Sequence, residues 1–190
     1  ISERIILLIL PLACNDAAEL LHKVVLALDR PAAYLKVVVK AHPMADRDRL
    51  LGALGWRTLP VFMEWAEGDM KDWLPRAACV VSAASAALLE SVIAGVAVVA
   101  VGSESALDLN PLSWWEGKYP IFSSCYTTVE IRAAMEFWFA LPDTDKCILL
   151  SAARKELGLS FIPWNEKMVA GLFMPPRLNI QRDMPLMQFS

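Results

Sequence analysis

The chain has 190 residues, enough for one ordinary domain with a sizeable core. Its hydrophobic content of 56% is high, but polar residues interrupt every apolar stretch before the roughly 20 residues that a membrane helix needs. The net charge of −3, without a basic stripe, argues against nucleic acid as a partner.

Strands and helices alternate along the chain. The predicted strands are Ile5–Leu10, Tyr34–Lys40, Thr58–Met63, Ala78–Ser82, Ala97–Val101 and a weaker Ile121–Tyr126. The predicted helices are Asp16–Asp29, Asp46–Leu54, Asp69–Ala77 with an early end at Pro75, Ser85–Ala94, Val129–Leu141 and Asp143–Leu157. Asp16 and Glu19 have the spacing of a capping box, and Gly55 and Gly95 are placed to close two helices.

This alternation predicts an α/β fold, a Rossmann-like, doubly wound and mostly parallel sheet with helices on both faces. Strands buried on both sides explain the apolar composition. We expect residues 1–158 to form this domain. Residues 159–190, apolar and punctuated by prolines, are expected to form an extension that packs on the domain or on a missing partner domain. Because the chain opens with Ile1, we expect a piece of a longer protein.

Cysteine and histidine usage bears on the compartment and on metals. The four cysteines are widely spaced and no C-x-x-C occurs, which predicts free thiols in a reducing compartment. Only two histidines are present, so we expect no metal site. No secretory leader is visible, and we expect a cytoplasmic protein, with a place at the inner face of a membrane left open.

Polar residues stand where two predicted strands end, and such ends line the ligand crevice of a parallel sheet. His42 precedes Pro43, and its imidazole can donate to a phosphate; the alternative is a histidine satisfied by a backbone carbonyl. Ser82 and Ser85 stand at a helix N-terminus that suits an anion, although a plain serine cap uses the same geometry. Glu90, further along that helix, suits a ribose diol or is an exposed position of an amphipathic helix.

Other candidates lie on the same predicted edge. Asn15 and Asp16 begin the first helix, although Asp16 also suits a cap. Met63, Glu64 and Trp65 follow the third predicted strand, where backbone groups could read a base edge and the indole could stack. Asp108 and Asn110 lie on the loop after the fifth strand and could touch a sugar or a phosphate. Dinucleotide, P-loop and α/β-hydrolase motifs are absent from the sequence.

With those residues in place, the chain resembles the C-terminal, donor-binding domain of a GT-B glycosyltransferase over about residues 5–160. It is most similar to the bacterial surface and capsular polysaccharide group with an HP dipeptide after one strand and a serine-rich turn after another. Here these are His42-Pro43 and the turn from Ser82 to Ser85, with Glu90 behind it and Gly95-Val96-Ala97-Val98 following. The resemblance implies that His42, Ser82 and Ser85 contact donor phosphates and that Glu90 holds the ribose. The family's proline after the glycine is replaced by Ala97.

The resemblance implies a nucleotide-sugar donor, CMP-, CDP- or UDP-linked, and no other cofactor. It also implies a carbohydrate or lipid-linked acceptor and an N-terminal domain that carries the catalytic base, so we expect the isolated chain to be inactive. The leading hypothesis is the donor-binding domain of a glycosyltransferase in surface polysaccharide or glycolipid biosynthesis. A nucleotide-sugar 2-epimerase-like domain and a non-enzymatic Rossmann-like binding module are the alternatives.

Overall fold

The computed structural model describes residues 4–29, 34–104, 107, 110–115 and 118–160. The chain divides into two compact units, Ile1–Leu159 and Ser160–Ser190. Nearly all of the extension expected at 159–190 therefore lies outside the described residues, as does Asp108.

Five strands and six α-helices make up the described part of the chain. The strands are β1 (Arg4–Ile9), β2 (Leu35–Lys40), β3 (Met63–Trp65), β4 (Ala77–Ala83) and β5 (Val98–Val101). The helices are α1 (Cys14–Ala27), α2 (Arg47–Ala53), α3 (Met70–Trp73), α4 (Ala86–Ile93), α5 (Thr128–Ala140) and α6 (Asp143–Ser160). Short 3₁₀ turns occupy Leu74–Arg76, Ser113–Trp115 and Pro120–Phe122.

The strands form one parallel sheet in the order β3-β2-β1-β4-β5. α1 and α2 pack on each other. The connections from β1 to β3 and from β4 to β5 step outward in opposite directions, and because such crossovers are right-handed as a rule, α4 belongs on the face opposite α1 and α2. The predicted Rossmann-like, doubly wound α/β fold is confirmed.

The core lies on both faces of the three central strands. Ile6–Leu8 on β1 and Val37–Val39 on β2 are fully buried, and Val80 and Val81 on β4 are as well. This double burial accounts for the continuous apolar runs in the sequence. Within the described residues, none of the helices combines the length and the apolar character needed to cross a bilayer.

Several helix ends agree with the sequence. Asp46 caps α2 by accepting a hydrogen bond from the Arg49 N–H at 3.0 Å. Gly55 and Gly95 follow the ends of α2 and α4 with φ of 68° and 79°, a region that favours glycine. The helix expected at Asp69–Ala77 ends at Trp73 and passes into a 3₁₀ turn through Pro75, as predicted.

Two strand predictions were wrong in part. The third strand is Met63–Trp65 rather than Thr58–Met63, because Pro60 starts a turn in which its carbonyl accepts from the Met63 N–H at 2.8 Å. The predicted strand Ile121–Tyr126 is reduced to one parallel bridge between Cys125 and Val101. The carbonyl of Phe122 is already engaged by the Asn110 amide at 2.8 Å, which favours a turn there.

Candidate functional site

The strand order reverses between β1 and β4, and ligands of open α/β sheets bind at the carboxyl ends of the strands at such a point. Ile9, the last residue of β1, aligns with Lys40 of β2 on one side and Ser82 of β4 on the other. The turns that follow β2 and β4 therefore leave the same edge of the sheet. Two strand spacings, about 10 Å, separate their backbones.

His42 lies two residues beyond the end of β2 and is half-buried. Its Nδ1 accepts a hydrogen bond from the Met44 N–H at 3.2 Å, and its carbonyl accepts from the Ala45 N–H at 2.9 Å. An accepting Nδ1 assigns the neutral ring the tautomer with its proton on Nε2. Within the described part of the chain no group accepts from Nε2, so that N–H can donate to a ligand.

Ser82 and Ser85 contact each other at the end of β4. Ser82 is buried; its Oγ lies 3.2 Å from the Ile9 carbonyl and 3.1 Å from Ser85 Oγ. Ser85 is the N-cap residue of α4, but its hydroxyl makes no capping bond because it pairs with Ser82. The alternative of a plain serine cap is therefore not formed by Ser85. The N–H groups of Ala86 and Ala87 lack acceptors among the described residues, which suits an anion at this helix N-terminus.

The first helix differs from its prediction. It begins at Cys14, so Asn15 is an exposed residue of its first turn and Asp16 lies inside the helix rather than at its cap. Asp16 and Glu19 do not form a capping box. Glu19 instead pairs with the Lys23 ammonium one turn along α1 and with the Ser103 hydroxyl and the Glu104 N–H from beyond the helix, which together are stronger partners than one N-terminal N–H.

Two predicted acids lie away from the serine turn. Glu64 lies within β3 rather than on a loop after it, and its carboxylate pairs with Lys36 Nζ at 2.8 Å. Glu90 is exposed, on the side of α4 opposite the buried Leu88 and Val92. Its carboxylate makes no hydrogen bond or ion pair within the described residues. The structure thus brings His42, Ser82, Ser85 and Asn15 to one edge, but not Glu64 and Glu90.

Trp65, at the end of β3, has one ring face covered. The Arg47 guanidinium lies 4.9 Å from the ring centroid and also binds the Glu67 carboxylate at 2.9 Å. This contact is a surface cation–π pair. Base stacking on Trp65 stays a prediction, limited to the ring face that Arg47 leaves uncovered.

A second set of residues at this edge was missed by the sequence reasoning. Lys23 Nζ binds Glu19 at 2.7 Å and the Gly102 carbonyl at 3.0 Å. Glu19 also accepts from the Ser103 hydroxyl at 2.6 Å and from the Glu104 N–H at 3.1 Å. The Glu–Lys spacing of four residues and the serine after β5 are signals that could have suggested this network.

The network fixes the charge of Glu19. Burial alone would raise the pKa of this carboxyl, but the hydrogen bonds from Lys23, Ser103 and the Glu104 N–H outweigh it and lower the pKa to about 2. Glu19 and Lys23 line a cavity of about 100 Å³ together with Asp16 and with Ala83 and Ala84 of the serine turn. The cavity is thus continuous with the Ser82–Ser85 turn.

Asn110, suggested as a sugar or phosphate ligand, is buried. Its amide nitrogen donates to the Phe122 carbonyl at 2.8 Å and to Ser124 Oγ at 3.1 Å. Its oxygen accepts from the Leu112 N–H at 2.9 Å. Asn110 therefore anchors its own loop, and the suggested contact was wrong. Asp108, its partner in that suggestion, lies outside the described residues.

All four cysteines are free thiols, with Cys79 buried in β4 and Cys147 exposed. Burial raises the pKa of the Cys79 thiol to about 12, so it is an inert core residue. In the described part of the chain, His, Cys, Asp and Glu side chains form no group of three or more that could hold a metal ion.

Three solved structures place this fold among known ones. An α,α-trehalose-phosphate synthase (UDP-forming) from Burkholderia vietnamiensis is 12% identical, with a TM-score of 0.64 over 90% of this chain and 43% of its own. The spinosyn rhamnosyltransferase SpnG complexed with thymidine diphosphate is 14% identical, with a TM-score of 0.59 over 90% of this chain and 45% of its own. A putative UDP-N-acetylglucosamine 2-epimerase from Listeria monocytogenes is 15% identical, with a TM-score of 0.51 over 77% of this chain and 39% of its own.

These likenesses define the class of the fold. The chain has the Rossmann-like α/β fold found in glycosyltransferases and in a nucleotide-sugar epimerase. It spans less than half the length of each of these structures. No protein-family model and no curated protein matches the sequence.

Proposed function

We propose that this chain is the donor-binding domain of a GT-B glycosyltransferase that works in surface polysaccharide or glycolipid biosynthesis. The observation that carries the proposal is the edge at the strand reversal, where the His42 Nε2–H and the uncapped start of α4 both offer donors. Donors on the two turns that flank the end of β1 suit the phosphate groups of a nucleotide-sugar.

In this proposal the His42 Nε2–H donates to one phosphate, and the N–H groups of Ala86 and Ala87 donate to the other. Ser82 and Ser85 hold the turn by bonding each other and the Ile9 carbonyl. When the glycosidic bond to the donor breaks, charge develops on the departing phosphate. Fixed donors and the helix dipole stabilise that charge without reorganising.

The acceptor, a carbohydrate or a lipid-linked sugar, and the catalytic base belong to a second domain in this proposal. We place the whole enzyme in the cytoplasm, at the inner face of the membrane where a lipid-linked acceptor would be. We expect the chain alone to bind nucleotide weakly and to transfer no sugar, since one half of a cleft provides fewer contacts and no closure.

An epimerase-like function is the second candidate, and the likeness to the UDP-N-acetylglucosamine 2-epimerase favours it. An epimerase needs further acids or bases at the sugar. If the chain converted UDP-N-acetylglucosamine to its 2-epimer, the epimerase function would replace the glycosyltransferase proposal. If nucleotide binds but neither sugar transfer nor epimerisation occurs when a second domain is supplied, the chain is a non-enzymatic binding module.

The test is a calorimetric titration of the chain with CMP, CDP, UDP and dTDP. We expect binding of at least one nucleotide, and a loss of about tenfold in affinity for His42→Gln, the scale of one hydrogen bond to a charged group. The matched control is His22→Gln, because His22 is exposed on α1 away from the strand ends. Absence of binding by all four nucleotides, or equal effects of the two histidine variants, would refute the proposal.

A further inference from the structure

The cavity beside the serine turn has a definite size and position. Its volume is about 100 Å³, several times the 10–15 Å³ that one water molecule needs by the same measure. It is therefore large enough for a small polar ring. Ala83 and Ala84, which line it, lie between Ser82 and Ser85 at the proposed phosphate site.

One stripe of α1 supplies the polar lining. Asp16, Glu19 and Lys23 lie three and four residues apart and so share one helix face. The ammonium of Lys23 is already used by Glu19 and by the Gly102 carbonyl. The carboxylate of Asp16 makes no hydrogen bond or ion pair with any residue that the structure describes.

The charge of this lining follows from those contacts. Among the described lining residues there are two carboxylates and one ammonium, and the ammonium is consumed by one of the carboxylates and a carbonyl. The low pKa of Glu19, about 2, keeps that carboxylate ionised at neutral pH. A ligand group in the cavity therefore meets the unpaired acceptor oxygens of Asp16 and a negative local charge.

We propose that this cavity receives the glycosyl ring of the donor and selects a ring with hydroxyl or amino groups and without a carboxylate, with Asp16 as the accepting residue. The inference rests on the proposed function. A hydroxyl or ammonium donates to Asp16, whereas a sugar carboxylate would face a like charge and lose its water.

The experiment compares UDP, UDP-glucose, UDP-glucosamine, UDP-glucuronic acid and CMP-N-acetylneuraminic acid as ligands, by chemical-shift titration of the chain. We expect UDP-glucose and UDP-glucosamine to bind more tightly than UDP, and UDP-glucuronic acid to bind about tenfold more weakly than UDP-glucose, a unit-charge effect at a half-buried site. Asp16→Asn should reduce the discrimination against glucuronic acid several-fold. Asp48→Asn is the matched control, because Asp48 occupies the first turn of the neighbouring helix α2 and is exposed.

The outcomes separate the two proposals. If UDP binds and the three UDP-sugars bind with equal affinity to one another, the inference is overturned and the proposed function stands. Preference for UDP-glucuronic acid or for CMP-N-acetylneuraminic acid, whose sugars are acids, does the same. If Asp16→Asn and Asp48→Asn behave alike, Asp16 is not the accepting residue and the inference fails. If none of the nucleotides or nucleotide-sugars binds, both proposals fall.

Discussion

The two edge strands of the sheet, β3 and β5, are protected in different ways. Around β3 the contacts are exposed ion pairs, Lys36–Glu64 and Arg47–Glu67, and half-buried indoles. All four residues of β5 are buried, and the single bridge from Cys125 continues the sheet beside it. An unpaired strand edge must be charged or covered to prevent pairing with other chains. The β3 edge is charged and the β5 edge is covered.

The ion pairs near the two edges also differ in how exposed they are. Side-chain exposure is 13% for Lys23 and 25% for Glu19, whose network holds the residues that follow β5. The corresponding exposures for Arg47 and Glu67 near β3 are 36% and 79%. Water screens exposed pairs, so the β3 contacts contribute little stability and the β5 network contributes more.

The largest expected effect on stability compares two tryptophans, Trp138 beside β5 and Trp73 near β3. Trp138 on α5 is fully buried and its Nε1 donates to the Val98 carbonyl at 2.8 Å. Trp138→Ala should lower the free energy of unfolding by about 3–5 kcal/mol, through a cavity and a lost hydrogen bond. Trp73, near β3, is half-buried, and Trp73→Ala should cost about 1–2 kcal/mol. Urea unfolding of both variants measures the difference, and equal costs would contradict it.

The next effect is a pH dependence on the β5 side. The pKa of Glu19 is lowered from 4.5 to about 2, so the folded state binds fewer protons than the unfolded state between these values. Its contribution, up to about 3 kcal/mol, is complete above about pH 5 and is lost as the pH falls through 4.5 toward 2. Melting temperatures from pH 2 to pH 7 should show this loss for the wild type and not for Glu19→Gln.

Glu67 is the control for that pH profile. The hydrogen bond and the charge of Arg47 lower the pKa of Glu67, but this carboxylate is exposed and screened. Glu67→Gln should keep the acid loss of the wild type almost unchanged. A profile in which Glu67→Gln and Glu19→Gln flatten the curve equally would show that the two edges do not differ electrostatically.

The smallest effect on stability concerns Glu90, on the exposed side of α4. Glu90→Gln should leave the free energy of unfolding within about 0.5 kcal/mol of the wild type. If Glu90 holds a ribose diol, the same change should weaken nucleotide binding by about 1–3 kcal/mol. Glu136→Gln on α5 is an exposed control. Unchanged nucleotide affinity would show that Glu90 does not bind the nucleotide. The turns after β2 and β4 would then be the binding elements.

The sequence predicted the elements whose signals are local. Runs such as Val37–Val39 are apolar because parallel strands are buried on both faces, and this pattern is visible without a structure. The same holds for the cap at Asp46 and for glycine at 55 and 95, which depend on neighbouring residues alone. Four of the five observed strands were therefore located within a few residues.

The predictions that failed depend on partners distant in the chain. Glu19 looked like a capping residue, but its carboxylate accepts a hydrogen bond from the hydroxyl of Ser103, 84 positions away. Asn110 looked like a ligand because it follows a strand, yet the Phe122 carbonyl takes its amide. A polar residue at a strand end has the same local signature whether it binds a ligand or anchors a loop.

By itself, the sequence determined the class of fold and the order of strands and helices, because periodicity, caps and turns act over a few residues. It also located His42 and Ser82, since their strands end where the apolar runs end. Only the tertiary structure decided that β2 and β4 flank β1 and that Glu64 is paired within β3. It alone joined α1 to the end of β5 around a cavity, because that arrangement depends on contacts about 80 residues apart in the chain.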